Sequence, residues 1–267
     1  MFNLKNLFCK SYSNYKLDYD FESIKQPLNF PLHIVVFTGG ISPDPEICSS
    51  FFEKFPAPDY VIGADSGIET LSAFKKFFKK LDFSPKTILG DMDSIKNKRL
   101  LNQFSKTAGL EKFNPYKDFT DTELALILAS KLKGRDTTVT LVGGSGGRID
   151  HLIGIFDLFS SPVAPDFWLT EKQILSLLKK DHYLSLLPKS KSSPISVMRT
   201  TKSSTKGCII SKGLEWESDL FRKTCVASLS NVINQTSFEN KIPIELRAKN
   251  ADFIVSFDYD TGFCLVK

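Results

Sequence analysis

The segment ILGDMDSI sets Asp91 and Asp93 two positions apart directly behind an apolar run. Residues so spaced in an extended chain point to opposite faces, so the two carboxylates can serve one ligand only if the backbone turns, and Gly90 supplies that turn. Two carboxylates meeting at a strand tip make a partial shell for Mg²⁺, a hard cation that takes oxygen ligands, keeps several waters and shares its remaining positions with substrate phosphates. A second acidic cluster, KDFTDTE, places Asp118 and Asp121 around Thr120. Here a plain helix start competes with chemistry, because Thr120 or Asp118 can cap a helix that carries Asp121 and Glu123 in its first turn.

The third component is a glycine turn, VTLVGGSGGRIDH, in which Gly143, Gly144, Gly146 and Gly147 expose backbone N–H groups and allow an anion to approach closely. Arg148 follows with a planar fork of donors that suits phosphate oxygens. Neither a G-x-x-x-x-G-K-[ST] nor a G-x-G-x-x-G sequence occurs, which disfavours a P-loop NTPase and a dinucleotide-binding dehydrogenase.

Strands and helices must bring these pieces together. LHIVVFT, DYVIGAD, KTILGD and TTVTLVGG are short apolar runs, each ending in glycine or acid, with helix-length stretches near 44–55, 66–81, 96–108 and 120–133. That alternation predicts an α/β fold: an open, mostly parallel sheet with helices on both faces. Ligands of such sheets bind beyond the carboxyl ends of the strands. Asp65, Asp91, Asp93, Asp118, Asp121 and Asp150 all fall at element junctions on that edge. Six acids there repel one another unless cations intervene, and a metal is the economical explanation.

From about residue 180 the texture changes to short strands separated by Ser-, Lys-, Asn- and Pro-rich turns, which predicts a smaller C-terminal antiparallel β-sandwich. The expected organisation is an N-terminal extension (1–31), an α/β domain (32–179) and a β-rich domain (180–267). The extension contains no Arg and reads as an ordinary N-terminal extension rather than a transit peptide. With 267 residues, 42% hydrophobic and 24% charged, the chain can bury a core. No run approaches the roughly 20 apolar residues of a membrane-spanning helix. The net charge of +5 comes without a basic tract or aromatic RNA-binding signature, so no nucleic-acid partner is expected. Five scattered Cys with no C-x-x-C pair fit a reducing, cytoplasmic setting.

Taken together, ADSGI (Ala64 to Ile68), GDMDS (Gly90 to Ser94), DFTDTE (Asp118 to Glu123) and GGSGGRIDH (Gly143 to His151) stand in the order found in the thiamine pyrophosphokinase family, which the chain resembles. SLLP at Ser185, GLEW ending at Trp216 and SLSN ending at Asn231 extend the resemblance into that family's thiamine-binding β domain. Departures are Ser66 and Ile68 for small residues, Leu124 where a Lys often follows the Glu, and Glu215 and Glu217 beside Trp216. The resemblance implies transfer of pyrophosphate from ATP to the hydroxyethyl oxygen of thiamine, giving thiamine diphosphate and AMP, by a homodimer whose thiamine pocket lies between subunits. It implies Asp91, Asp93 and Asp121 as Mg²⁺ ligands and catalytic residues, with Asp93 or Asp121 accepting the hydroxyl proton. Thr120, Gly146, Gly147, Arg148 and Asp118 would hold ATP, and Trp216, Ser230, Asn231, Asp65 and Asp150 would serve the thiamine side.

Trp216 by composition alone is a core residue. Its flanking acids and the Ser-Asn pair favour an indole that stacks on a cationic heteroaromatic ligand. His151 is expected to be structural, since Asp150 already fills the helix-start role. Alternative readings are a related Mg²⁺-dependent pyrophosphotransferase acting on another heterocyclic alcohol, such as a pterin, and a non-catalytic nucleotide sensor. A haloacid-dehalogenase-like phosphatase fits less well, because its D-x-D follows the first strand and Asp91 follows the third.

Overall fold

A computed structural model describes residues 30–200, 207–217 and 227–266. Most of the expected N-terminal extension lies outside the described residues. Six parallel strands form one side of a ten-stranded sheet: β1 (His33–Phe37), β2 (Tyr60–Ala64), β3 (Thr87–Gly90), β4 (Gly109–Lys112), β5 (Thr138–Val142) and β6 (Phe167–Leu169), in the order β6-β5-β1-β2-β3-β4. Between them run α1 (Ser49–Phe52), α2 (Gly67–Phe77), α3 (Lys98–Phe104), α4 (Asp121–Leu132) and α5 (Ile149–Leu158).

Side chains alternate across β1. Val35 and Phe37 join Phe51, Phe52 and Phe74 on the face covered by α1 and α2, while Ile34 and Val36 join Leu124 and Leu128 of α4 on the other. Helices on both faces explain why the central strands read as unbroken apolar runs rather than alternating ones. The first helix is far shorter than the 44–55 stretch suggested, because Pro43 and Pro45 lack N–H donors and leave residues 45–48 as turns.

The sheet does not stop where the parallel part ends. It continues through β7 (Gln173–Leu178), β9 (Ile195–Arg199), β11 (Ser228–Asn231) and β13 (Phe253–Asp258), all antiparallel, in the order β11-β9-β13-β7 next to β6. A second antiparallel sheet, β10-β12-β8-β14, is built from β8 (Tyr183–Leu187), β10 (Cys208–Lys212), β12 (Ile244–Lys249) and β14 (Gly262–Val266), with α6 (Gln235–Glu239) preceding β12. Ile244, Leu246 and Ala248 alternate inward along β12 and share one core with Phe253, Val255 and Phe257 of β13. The same core takes in Phe51 and Phe167 of the α/β half, so the sandwich and the parallel layer are packed as one body.

Strand order reverses at β1. Successive strands β2, β3 and β4 lie to one side of it and β5 and β6 to the other. Loops after β1 and β5 therefore leave the sheet side by side in opposite directions, opening the crevice in which open α/β sheets bind ligands. Thr38 N–H donates to the Val142 carbonyl at 3.0 Å, and Ile41 and Ser145 form a two-way bridge at 2.7 and 3.0 Å, so the loops are tied to each other at their base.

Candidate active site

A cleft of about 320 Å³ opens at this point, bordered by Gly40, Asp65, Ser94, Thr120, Gly147 and Arg148. Asp65 and Asp121 line it, and the acidic cluster to which they belong comes from three elements. Asp65 follows β2 in a left-handed conformation (φ 44°), and its N–H donates to the Leu89 carbonyl at 2.8 Å, which pins it beside the tip of β3. There Gly90 (φ 139°) and Met92 (φ 65°) bracket Asp91, and this turn brings Asp91 and Asp93 to one side. Asp93 N–H donates to Asp91 Oδ1 at 3.1 Å. A Cβ on Gly90 would sit 3.1 Å from Asp65 Cβ and 3.2 Å from Asp121 Cγ, so glycine also makes room for the two neighbouring carboxylates.

Thr120 caps α4 in a capping box. Its Oγ1 accepts from Glu123 N–H at 3.2 Å, and its own N–H donates to Glu123 Oε2 at 2.7 Å. The cap sets Asp121 at the head of the helix, facing Gly90. Thr38 and Thr122 hydroxyls meet at 2.6 Å and lock this helix start to the end of β1.

Asp65, Asp91 and Asp93 offer ligand oxygens that all lie within 4.8 Å of one another, a grouping able to hold a metal ion. Asp65 Oδ2 accepts from the Ser94 hydroxyl, whereas Oδ1 is buried with no hydrogen-bond partner. A buried carboxylate oxygen without a donor calls for a cation. Burial, with Asp121, Asp91 and Asp93 adding repulsion, pushes the Asp65 carboxyl up to about 6. Burial likewise raises Asp121, although Lys117 opposes the shift. Asp91 moves the other way: burial would raise it, but the Asp93 N–H and Lys117 hold it below the usual carboxylate range.

Lys117 escaped the sequence reading. Its ammonium lies 3.0 Å from Asp121 Oδ1 and 3.6 Å from Asp91 Oδ2. The (i, i+4) spacing to Asp121 was the available signal, but its reach to Asp91 depends on β3 and α4 being neighbours in space.

The six acids do not all gather. Asp65, Asp91, Asp93 and Asp121 converge, whereas Asp118 is exposed in the loop before α4. Asp150 is also exposed, on the first turn of α5, and forms a two-point pair with Arg148 at 3.1 and 2.5 Å. His151 is exposed and borders the cleft rather than filling a structural position.

The opposite wall is the glycine turn, where Gly143, Gly144, Gly146 and Gly147 all have φ between 73° and 93°. At Gly147 a Cβ would meet nothing within 4 Å, so this backbone fronts open space. Buried Trp168, unnoticed in the sequence, anchors the turn by donating from Nε1 to the Gly143 carbonyl at 2.7 Å.

Trp216 is 62% exposed, so it is no core residue. Ser230 is exposed with a left-handed backbone (φ 55°). Asn231 differs from expectation: it is fully buried, its Nδ2 donates to the Trp216 carbonyl at 2.9 Å, and its Oδ1 accepts from Trp216 and Val232 N–H. Its amide is thus engaged with the protein backbone. Trp216, Ser230 and Asn231 are not among the described residues that border the cleft.

The fold and the site define an open α/β protein whose switch-point cleft joins a carboxylate cluster to a glycine turn. The family model for the thiamin pyrophosphokinase catalytic domain matches residues 53–167, which bears out the resemblance carried by the sequence motifs. Thiamine pyrophosphokinase from Bacillus subtilis is similar over 85% of this chain and 98% of its own, at 18% identity and a TM-score of 0.61. Thiamin pyrophosphokinase from Candida albicans matches 85% of this chain and 88% of its own, at 16% identity and a TM-score of 0.59. At these identities the likeness is one of fold. No curated protein sequence matches the chain. Among the described residues no helix is long and apolar enough to cross a membrane.

Proposed function

We propose that this protein is a thiamine pyrophosphokinase, moving the pyrophosphoryl group of ATP to the hydroxyl of thiamine and releasing AMP. The observation that carries this reading is a switch-point cleft with Asp65 and Asp121 on one side and the glycine turn on the other, where Asp65 also belongs to a group with Asp91 and Asp93 close enough to hold one ion. Phosphoryl transfer asks little covalent chemistry of a protein and much charge neutralisation and positioning. Mg²⁺, when bound, supplies the neutralisation on phosphate oxygens. Asp91, Asp93 and Asp121 are its proposed ligands, and the unpartnered Asp65 Oδ1 recommends Asp65 as a further one.

The backbone N–H groups of Gly146 and Gly147 receive the triphosphate, and the Thr120 hydroxyl keeps its proton free to donate to it. Arg148 exchanges its solvent-exposed Asp150 partner for phosphate oxygens; the pair is open to water on all sides, so this exchange costs little. Asp118, exposed in the loop before α4, is a proposed ATP contact. Asp93 or Asp121 takes the hydroxyl proton of thiamine. Trp216 offers its exposed indole to the cationic thiazolium and the pyrimidine, Ser230 adds a hydrogen bond, and Asn231 contributes by fixing the Trp216 backbone. Since these residues stand apart from the cleft border, the thiamine pocket is proposed to form between two copies of the chain. A cytoplasmic location belongs to the same proposal.

Incubating the protein with ATP and Mg²⁺, with and without thiamine, and separating the nucleotides tests this. Thiamine-dependent AMP formation that EDTA abolishes is expected. Nucleotide turnover indifferent to thiamine would overturn the substrate assignment.

A further inference from the structure

Among the described residues, both ion pairs made by the acidic cluster run to one cation, Lys117, whose side chain is only 10% exposed. That ammonium joins carboxylates from two elements, Asp121 at the head of α4 and Asp91 at the tip of β3. Asp91 has a second allegiance, for it is also one of the three carboxylates grouped closely enough to hold a single ion. One carboxylate thus serves both the tethered cation and the diffusible one.

We infer that Lys117 is a positioning residue, a built-in counter-cation that keeps Asp91 and Asp121 together in the metal-free protein and that a divalent cation must compete with for Asp91. The inference rests on reading the cluster as a cation site. Four neighbouring carboxylates repel one another, and a single nearly buried ammonium on two of them offsets part of that repulsion. The same positive charge opposes an incoming Mg²⁺. Metal uptake by the free protein is therefore weaker than the carboxylates alone would allow, and polyphosphate, which offers the ammonium new acceptors, favours it.

The test is calorimetric titration of Mg²⁺ into the metal-free full-length protein, its Lys117→Met variant and its Lys117→Arg variant, with thermal melting of each in EDTA. Lys117→Met should bind Mg²⁺ at least fivefold more tightly and melt lower in EDTA, with the melting deficit recovered at saturating Mg²⁺. Lys117→Arg, which keeps the charge, should stay within about twofold of wild type. Unchanged or weaker Mg²⁺ binding by folded Lys117→Met overturns the inference while leaving the cation site standing. No Mg²⁺ uptake by either the wild type or folded Lys117→Met overturns both. Should Lys117→Met fail to fold, amine acylation of the wild type read by mass spectrometry decides: Mg²⁺ should increase labelling at Lys117, and a Mg²⁺-insensitive rate contradicts the inference.

Discussion

Asn231 closes its amide around the backbone of Trp216, donating to the carbonyl at 2.9 Å and accepting the N–H at 3.3 Å, and leaves the indole itself 62% exposed. Trp216→Ala should therefore melt near the wild-type temperature instead of losing the roughly 3–5 kcal/mol of a core Trp. Its KM for thiamine should rise about two- to thirtyfold, the range set by a cation–π contact of about 0.5–2 kcal/mol, with Phe restoring part of the loss. Steady-state kinetics and melting curves check both halves. Asn231→Ala should behave oppositely, losing about 1–3 kcal/mol of stability through unsatisfied buried groups.

If the thiamine pocket is completed by a second copy, Trp216→Ala and Asp93→Asn subunits complement each other. Each homodimer should be impaired, and mixed dimers should regain one working site. Verified heterodimers without recovered activity would place both residues in a site made by one chain.

Asp93→Asn should keep the fold and lose nearly all turnover, since a neutral amide is a poor Mg²⁺ ligand and a poor base. Removing one of several like charges should leave the melting temperature in EDTA equal or higher. Near-normal activity at saturating Mg²⁺ would remove Asp93 from the metal shell.

Asp65 gives the metal-free protein a pH signature. Its carboxyl is held at about 6 in the fold, above the ordinary value of 3.8, so the protonated form is favoured by folding. That contribution is fully present below about pH 4 and is lost as pH rises through 6, at most about 3 kcal/mol. Melting in EDTA should show wild type declining relative to Asp65→Asn between pH 4 and 7, and parallel curves would contradict the assignment.

Gly147→Ala separates the two substrates. A methyl group there meets no neighbour but must adopt φ 75°, at a cost of about 1–2 kcal/mol. It would also face the anion, so KM for ATP should rise several-fold while KM for thiamine stays near wild type.

The parallel strands were legible because burial on both faces makes them apolar runs, and their glycine and acid endings marked the ligand edge. The edge strand β4 (GLEK) was not, having only one half-buried position among exposed ones. Which acids turn inward was also hidden. Asp65 and Asp150 look alike in sequence, yet the Leu89 carbonyl draws Asp65 to β3 whereas α5 carries Asp150 into solvent. Lys117 and Trp168 act through partners 26 and 25 residues away, contacts that no local pattern announces.

Pyrophosphoryl transfer is tested most directly with ATP labelled at the γ-phosphorus, with Mg²⁺ and thiamine, following products by chromatography. Label is expected in thiamine diphosphate, with AMP in equal amount. Label in thiamine monophosphate with ADP would contradict it.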